Sequence, residues 1–206
     1  MYNLAEMIIS LVLNLFGLSL FLFIFWRRLR EDYIGNQIFG TSFIVLIALF
    51  AARIFAKQIA VDFWFWISTV FVGVGLTIGI ARYHLKIFEA LEAAVFGFLP
   101  WISFYFLADA IKASSVPSMI GAIVVALLAI TFIILDKRYK KFTWYKSGRV
   151  GFSGLIILGI FFLIRAIVEL LYDGVLSFSG NQDIYFSGIA AFVAFLVLYN
   201  LVKEEI

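Results

Sequence analysis

Long apolar runs separated by short polar connections make up nearly the whole chain. Seven runs of 19 to 25 residues can be traced, and a helix that crosses a bilayer needs about 20 apolar residues. The pattern therefore predicts seven transmembrane helices. Their approximate bounds are residues 4–26, 38–56, 60–81, 87–111, 116–135, 150–171 and 184–202.

The composition agrees with a membrane protein and excludes an ordinary soluble domain. Of the 206 residues, 65% are apolar and 14% are charged, whereas soluble domains have about 45–50% apolar and about 25% charged residues. The seven runs leave too few residues for a separate soluble domain. We therefore predict an all-α, polytopic protein with a single transmembrane domain over residues 1–206.

Basic residues fall mainly in the connections on one side of the predicted membrane. Twelve of the 16 Lys and Arg residues lie there, two lie in the opposite connections and two lie inside spans. The twelve are Arg27, Arg28, Arg30, Arg82, Lys86, Lys137, Arg138, Lys140, Lys141, Lys146, Arg149 and Lys203. Because such residues mark cytoplasmic loops, we expect the N-terminus outside and the C-terminus in the cytoplasm. The same bias explains the net charge of +3, so we expect no nucleic-acid partner.

Apart from Glu6 and Asp62 close to the starts of their spans, six charged residues lie within the predicted spans, where each is costly unless it faces the protein interior. They are Arg53, Glu89, Glu92, Asp109, Arg165 and Glu169. Arg165 and Glu169 are four residues apart and share one helix face. Arg165 and Arg53 lie at a similar depth in the external half, so two guanidiniums could hold one phosphate. Alternatively, each arginine pairs with Glu169, Asp62 or Asp109 and fixes helix packing.

The other candidate residues are less specific. Glu89 and Glu92 could exchange protons, although we favour an interaction with the positive end of their helix and with Lys86. The chain has no cysteine and one histidine, His84, so we expect no metal site and no cofactor. Gly75 belongs to a set of small residues that allows close contact between helices.

Several short motifs, taken in order, resemble the bacterial prolipoprotein diacylglyceryl transferases. The clearest match is Gly151-Phe-Ser-Gly154-Leu-Ile-Ile-Leu-Gly159 followed by Arg165-Ala-Ile-Val-Glu169. The second predicted span ends in Ala52-Arg53-Ile54, and the fifth begins with Val116-Pro117-Ser118. The stretch from Phe106 through Asp109 to Ser114 is similar to a shortened form of the family signature. The matches cover nearly the whole chain, and the family has the same seven spans and orientation.

The resemblance implies a chemistry and a location in the bacterial cytoplasmic membrane. These enzymes transfer diacylglyceryl from phosphatidylglycerol to the lipobox cysteine of a prolipoprotein signal peptide, and they release glycerol phosphate. The nucleophile belongs to the substrate, so the enzyme itself needs no cysteine. The implied catalytic residues are Arg165 and Glu169, and the implied substrate-binding residues are Arg53, Asp109, Gly75 and Ser118.

The chain departs from the family at positions that carry the chemistry. No histidine stands near Val72–Gly73, where the family has one. Phe106 replaces the signature arginine, Val116 replaces a second histidine, and Gly121-Ala122 replaces a Tyr-Glu pair. Loss of one transition-state stabiliser can cost about 10²–10³ in rate. Two alternatives therefore stand beside a transferase: a non-catalytic phospholipid-binding or scaffold protein of the same fold, and an ion-coupled carrier.

Overall fold

A computed structural model describes residues 4–139, 150–171, 177, 180 and 182–203 of the chain, with the side chains of residues 4–7 left out. In this part of the chain the regular elements are all helical, and seven helices are long and apolar enough to cross a membrane. They are α1 (Leu4–Leu29), α2 (Gly35–Ile59), α3 (Trp64–Tyr83), α4 (Ile87–Ala113), α5 (Val116–Arg138), α6 (Phe152–Leu171) and α7 (Gln182–Lys203). A short 3-10 turn, Val61–Phe63, precedes α3.

The prediction of an all-α protein with seven spans is confirmed. Most helices extend a few residues beyond the predicted runs, as α1 does through Arg27 and Arg28 to Leu29. The apolar run ends where the hydrocarbon ends, whereas the helix continues until a residue breaks its hydrogen bonding. Lys140, Lys141, Lys146 and Arg149 of the predicted basic connection lie outside the described residues.

Local signals set the helix ends. His84 closes α3 and Ser114 closes α4, both in the left-handed conformation with φ of 57° and 48°. The side chain of Ser115 then accepts a hydrogen bond from the Ser118 backbone N–H at 3.3 Å, and Pro117 occupies the first turn of α5. A serine cap and an early proline are typical of a helix start, so α4 and α5 form a tight antiparallel pair.

Pro100 lies inside α4 but does not end it. Gly97 and Pro100 offer a single possible interruption, whereas carriers with inverted repeats have helices broken in both halves, and α4 runs without a break from Ile87 to Ala113. A membrane helix tolerates proline when neighbouring elements satisfy the freed backbone groups. This helix therefore lacks the broken-helix signature of the carrier hypothesis.

Neighbouring helices pack mainly in four pairs: α1 with α4, α2 with α3, α4 with α5, and α6 with α7. We call the end with connections 30–34 and 84–86 the basic end, and the end with connections 60–63 and 114–115 the opposite end. Helix α4 is central, because it also contacts α6 and α3. Large side chains such as Phe43, Phe50 and Phe192 project outward, as expected for a surface surrounded by lipid.

Candidate functional site

A cavity of about 380 Å³ lies between α5 and α6. Its lining is apolar except for two residues, Arg165 and Ser177. The lining residues are Phe106, Val116, Pro117, Ile120, Gly121, Val124, Val125, Leu128, Phe161, Ile164, Arg165, Val168 and Ser177. Ligand cavities in proteins have this size range and this mixture of an apolar lining with a few polar groups.

The cavity is long, because its α5 wall extends from Val116 to Leu128. Twelve residues at a rise of 1.5 Å give a length of about 18 Å along the helix. Val116 and Ile120 are 68% and 56% exposed, so this side faces the surrounding lipid. Gly121 adds room, because a Cβ atom there would lie 3.3 Å from the Phe106 ring. The result is a groove that runs from the middle of the bundle to its opposite end.

Arg165 forms the polar part of this cavity. Its side chain is 6% exposed. Nη1 donates to Ser177 Oγ at 2.6 Å, and Nη2 donates to the Ser177 carbonyl oxygen at 3.1 Å and to Asp183 Oδ1 at 2.7 Å. The guanidinium carbon lies 3.8 Å from the centre of the Phe65 ring. Arg165 is therefore held in one orientation by an ion pair, a serine and an aromatic face.

Asp183 connects the Arg165 cluster to a third helix. It is fully buried in the first turn of α7, where the positive end of the helix favours a carboxylate. Asp183 Oδ1 also accepts a hydrogen bond from Trp66 Nε1 at 2.6 Å, and the Trp66 ring stacks on Phe162 with centroids 5.6 Å apart. One carboxylate thus connects α3, α6 and α7 at the opposite end.

Glu169 lies one turn beyond Arg165 on α6 and is 2% exposed. Its carboxylate interacts favourably with the Arg165 guanidinium, as expected for residues four apart on one face. Asp183 and Glu169 together provide two carboxyl groups beside one guanidinium. Among the described residues, the cluster therefore carries no excess positive charge that would attract a phosphate.

The structure does not bring Arg53 and Arg165 together. Arg53 is exposed, and its guanidinium carbon lies 4.9 Å from the Trp64 ring centre and 5.2 Å from that of Tyr105. Arg53 is not part of the cavity lining. The two arginines have a similar depth but stack on different aromatic residues, Arg53 on Trp64 and Arg165 on Phe65, and no described contact joins them. These contacts therefore do not assemble the shared phosphate site that was expected from the sequence.

Asp109, Ser118 and Gly75 have packing contacts elsewhere. Ser118 is 1% exposed, and its Oγ donates to Asp109 Oδ2 at 2.5 Å, which joins α4 to α5 beside their connection. Gly75 packs against α2, where a Cβ atom would lie 2.7 Å from the Ala48 Cβ. None of the three lines the cavity.

A second buried charge cluster lies at the basic end. Glu92 is 1% exposed and accepts hydrogen bonds from Arg28 Nη2 at 2.5 Å and from the Gly151 backbone N–H. Arg28 also donates to both oxygens of Asp136, at 2.8 and 2.6 Å. Glu92 was expected to meet the start of its own helix and Lys86. Glu92 instead joins α4 to α1 and to the start of α6. Arg28 also connects α1 to α5 through its hydrogen bonds to Asp136.

Glu89 does make the contact predicted for it, since Lys86 Nζ lies 3.0 Å from Glu89 Oε1. This hydrogen bond raises the pKa of Lys86. Tyr33 donates to Glu89 Oε2 at 2.7 Å and accepts from the Lys86 backbone N–H at 3.0 Å. Burial, together with the bond to Glu89, raises the pKa of the Tyr33 hydroxyl. These contacts fasten the connection 30–34 to the start of α4.

A polar cavity of about 230 Å³ lies beside these residues at the basic end. Its lining includes Arg28, Glu31, Asp32, Glu89 and Asp136. In the described part of the chain, no three carboxylate, imidazole or thiolate groups lie close enough together to hold a metal ion. Arg28 and Asp136 pair with each other here, and Glu89 pairs with Tyr33 and Lys86.

The sequence did not single out Asp183, Trp66, Ser177, Arg28 or Asp136 as site residues. Arg28 and Asp136 lie near span ends, where charge is common, and Asp183 lies at the boundary of a predicted connection. One usable signal was an acidic residue at the start of an apolar helix, which fits Asp183. Pairing between helices distant in sequence could not be inferred without the fold.

Comparisons with protein-family models, curated proteins and solved structures find no match for this chain.

Proposed function

We propose that the protein binds a membrane lipid, with one acyl chain in the groove between α5 and α6. The observation that carries this proposal is the shape and lining of the cavity, which is apolar along about 18 Å and faces the lipid. Half of the hydrocarbon core of a bilayer is about 15 Å thick. A groove from mid-bundle to the helix ends thus matches an acyl chain of one leaflet.

Arg165 and Ser177 give the groove its polar end. An arginine already paired with Asp183 at 2.7 Å is poorly suited to a full negative charge, because displacing its partner would strand a buried carboxylate. It is better suited to a neutral acceptor, such as an ester carbonyl of the glycerol backbone. We therefore propose that ester oxygens, rather than the phosphate, lie beside Arg165.

The resemblance to prolipoprotein diacylglyceryl transferases supports lipid binding more than catalysis. Phe106, Val116 and Gly121 stand where the resemblance expects an arginine, a histidine and a tyrosine, and all three line the same groove as Arg165. The groove therefore occupies the region where the transfer would be expected, yet its lining has become apolar. We propose a lipid-binding protein in the bacterial cytoplasmic membrane, with phosphatidylglycerol or a similar phospholipid as its ligand.

The experiment measures lipid retention by native mass spectrometry after purification in neutral detergent. The test variant is Val124→Trp, which fills the groove from α5. The matched control is Leu127→Trp, because Leu127 is on the same helix, is 55% exposed and does not line the groove. We expect wild type and Leu127→Trp each to retain one molecule of added diacylglycerol. We expect Val124→Trp to bind diacylglycerol at least tenfold more weakly.

Two results would contradict lipid binding in the groove. One is equal retention by Val124→Trp and Leu127→Trp. The other is equal loss in both variants, which would indicate a general effect of a bulky side chain. Circular dichroism and thermal unfolding of each variant establish that the helices are intact before the lipid is added.

The second candidate function is the transfer itself, favoured by Arg165 and Glu169 lying on one face beside the groove. In that reaction the thiol sulfur of a lipobox cysteine forms a C–S bond to the glyceryl carbon, the C–O bond breaks, and glycerol phosphate leaves with the electron pair. The thiol proton passes to a base, for which Glu169 is the candidate. Transfer to a lipobox peptide by wild type, but not by Glu169→Gln, would favour catalysis. No transfer despite bound lipid would favour binding alone.

A further inference from the structure

Arg53 is positioned differently from the other arginine within a predicted span. It lies on α2, six residues before the last residue of the helix, Ile59, which is about 9 Å along the axis. The side chain is exposed. This depth is near the boundary between hydrocarbon and headgroups, where arginine side chains reach toward the phosphate level.

Two aromatic rings hold the Arg53 guanidinium in place. Its central carbon lies 4.9 Å from the centre of Trp64 and 5.2 Å from that of Tyr105. The two rings are themselves in contact, with centroids 5.2 Å apart. A cation close to two aromatic rings is stabilised by them. These ring contacts leave the guanidinium N–H groups able to donate to another partner.

Among the described residues, no carboxylate or other acceptor hydrogen-bonds Arg53. Asp109, one turn beyond Tyr105 on α4, is engaged by Ser118 instead. Lys57 lies one turn beyond Arg53 on α2, is also exposed, and adds a second positive charge on the same side. A fixed cation with unused donors next to the lipid suits an anionic acceptor from outside the protein.

We propose that Arg53, Trp64 and Tyr105 form a binding site for the phosphate of an anionic membrane phospholipid, separate from the groove between α5 and α6. The planar guanidinium edge matches two phosphate oxygens. Contact with the two rings reduces the conformational freedom of Arg53 that binding would otherwise remove. Arg165 differs because its ion pair is formed within the protein, so phosphate recognition belongs to Arg53.

The test is Arg53→Gln, which removes the charge but keeps a polar side chain of similar length. The matched control is Arg82→Gln, because Arg82 is an exposed arginine at the other end of α3 and stacks on no ring among the described residues. Native mass spectrometry compares phosphatidylglycerol with diacylglycerol of the same acyl chains. We expect Arg53→Gln to weaken retention of one phosphatidylglycerol about tenfold and to leave diacylglycerol unchanged. Arg82→Gln should change neither.

Further variants separate the contribution of the aromatic rings around Arg53 from simple charge attraction. Tyr105→Leu should weaken phosphatidylglycerol binding although Arg53 is present, and Tyr105→Phe should retain it. Equal losses in Arg53→Gln and Arg82→Gln, or no loss in Arg53→Gln, would overturn the proposal. If millimolar inorganic phosphate displaces the bound phosphatidylglycerol, the proposal that a lipid is the ligand of this site is overturned. Loss of diacylglycerol binding in Val124→Trp reports only on the groove, so failure of one site does not imply failure of the other.

Discussion

The ion pair between Arg165 and Asp183 gives the most direct quantitative test of this structure. Asp183→Asn keeps the size of the side chain and an oxygen that can still accept from Trp66 Nε1. It removes the negative charge 2.7 Å from Arg165 Nη2, in a pair whose side chains are 6% and 0% exposed. The substitution therefore isolates the charge from the hydrogen bond.

The expected loss of stability in Asp183→Asn depends on whether a neutral hydrogen bond or a buried ion pair is lost. A neutral hydrogen bond between membrane helices is worth about 0.6 kcal/mol on average. Breaking a buried ion pair by removing one partner costs about 3–5 kcal/mol, because the other charge is left uncompensated. Glu169 still interacts with Arg165, so we expect the lower limit. The free energy of unfolding should fall by about 3 kcal/mol, which is roughly 150-fold in the equilibrium constant.

The assay is reversible unfolding in mixed micelles, followed by circular dichroism and tryptophan fluorescence. The control is Asp62→Asn, because Asp62 is exposed in the turn before α3 and should change the free energy by less than about 0.5 kcal/mol. The triple variant Arg165→Leu, Glu169→Leu and Asp183→Leu removes all three charges of the cluster, so that no buried charge is left uncompensated. It should be less destabilised than Asp183→Asn, by about 1–2 kcal/mol.

A loss below about 1 kcal/mol in Asp183→Asn would refute this reasoning. It would mean that Arg165 is neutralised or reached by water, so that the buried pair does not hold α6 against α7. A triple variant that is as unstable as Asp183→Asn would also count against it, because the loss of stability would then come from packing.

The remaining predictions use the same unfolding assay. Glu92→Gln should lower the free energy of unfolding by about 1–2 kcal/mol, because it weakens the bond to Arg28 in a buried position. Glu89→Gln changes a partly exposed residue and should lower the free energy of unfolding by less than about 1 kcal/mol. Equal losses in the two variants would contradict this difference between the buried and the partly exposed carboxylate. Gly75→Val should lower the free energy of unfolding by about 1–3 kcal/mol, since even a Cβ atom there would lie 2.7 Å from the Ala48 Cβ of α2. A Cβ atom at Gly73 would meet no atom within 4 Å, so Gly73→Val should change the free energy of unfolding by less than about 0.5 kcal/mol.

The sequence was sufficient to predict the helices because bilayer thickness imposes one length on every span. The prediction for α4, residues 87–111, differs from the observed Ile87–Ala113 by two residues at one end. Helix α3 begins at Trp64 rather than at residue 60, after the 3-10 turn Val61–Phe63. Helix α2 begins at Gly35 rather than at residue 38. There the Gln37 side chain accepts a hydrogen bond from the Ile34 N–H at 3.2 Å, a local contact that an apolar count does not detect.

The candidate site was only partly predictable. Arg165 and Glu169 are both buried on α6, as expected for residues four apart that share one helix face. Arg53 was expected beside Arg165 because depth in the membrane can be estimated from sequence, whereas direction around the bundle cannot. Asp183 was missed because its pairing joins two helices, and such a contact depends on how α6 and α7 rotate against each other.

The two charge clusters together bear on how the groove would bind a ligand. Between membrane helices there is little hydrophobic driving force, so packing and polar contacts decide their arrangement. Helix α6 is held at the basic end through Gly151 and Glu92 and at the opposite end through Arg165 and Asp183. Helix α5 is held at its two ends by Asp136 and Ser118. Because both walls are fixed at both ends, the groove is formed before any lipid enters it. A filled groove should therefore weaken lipid binding while leaving the fold intact, and this separates Val124→Trp from the ion-pair variants.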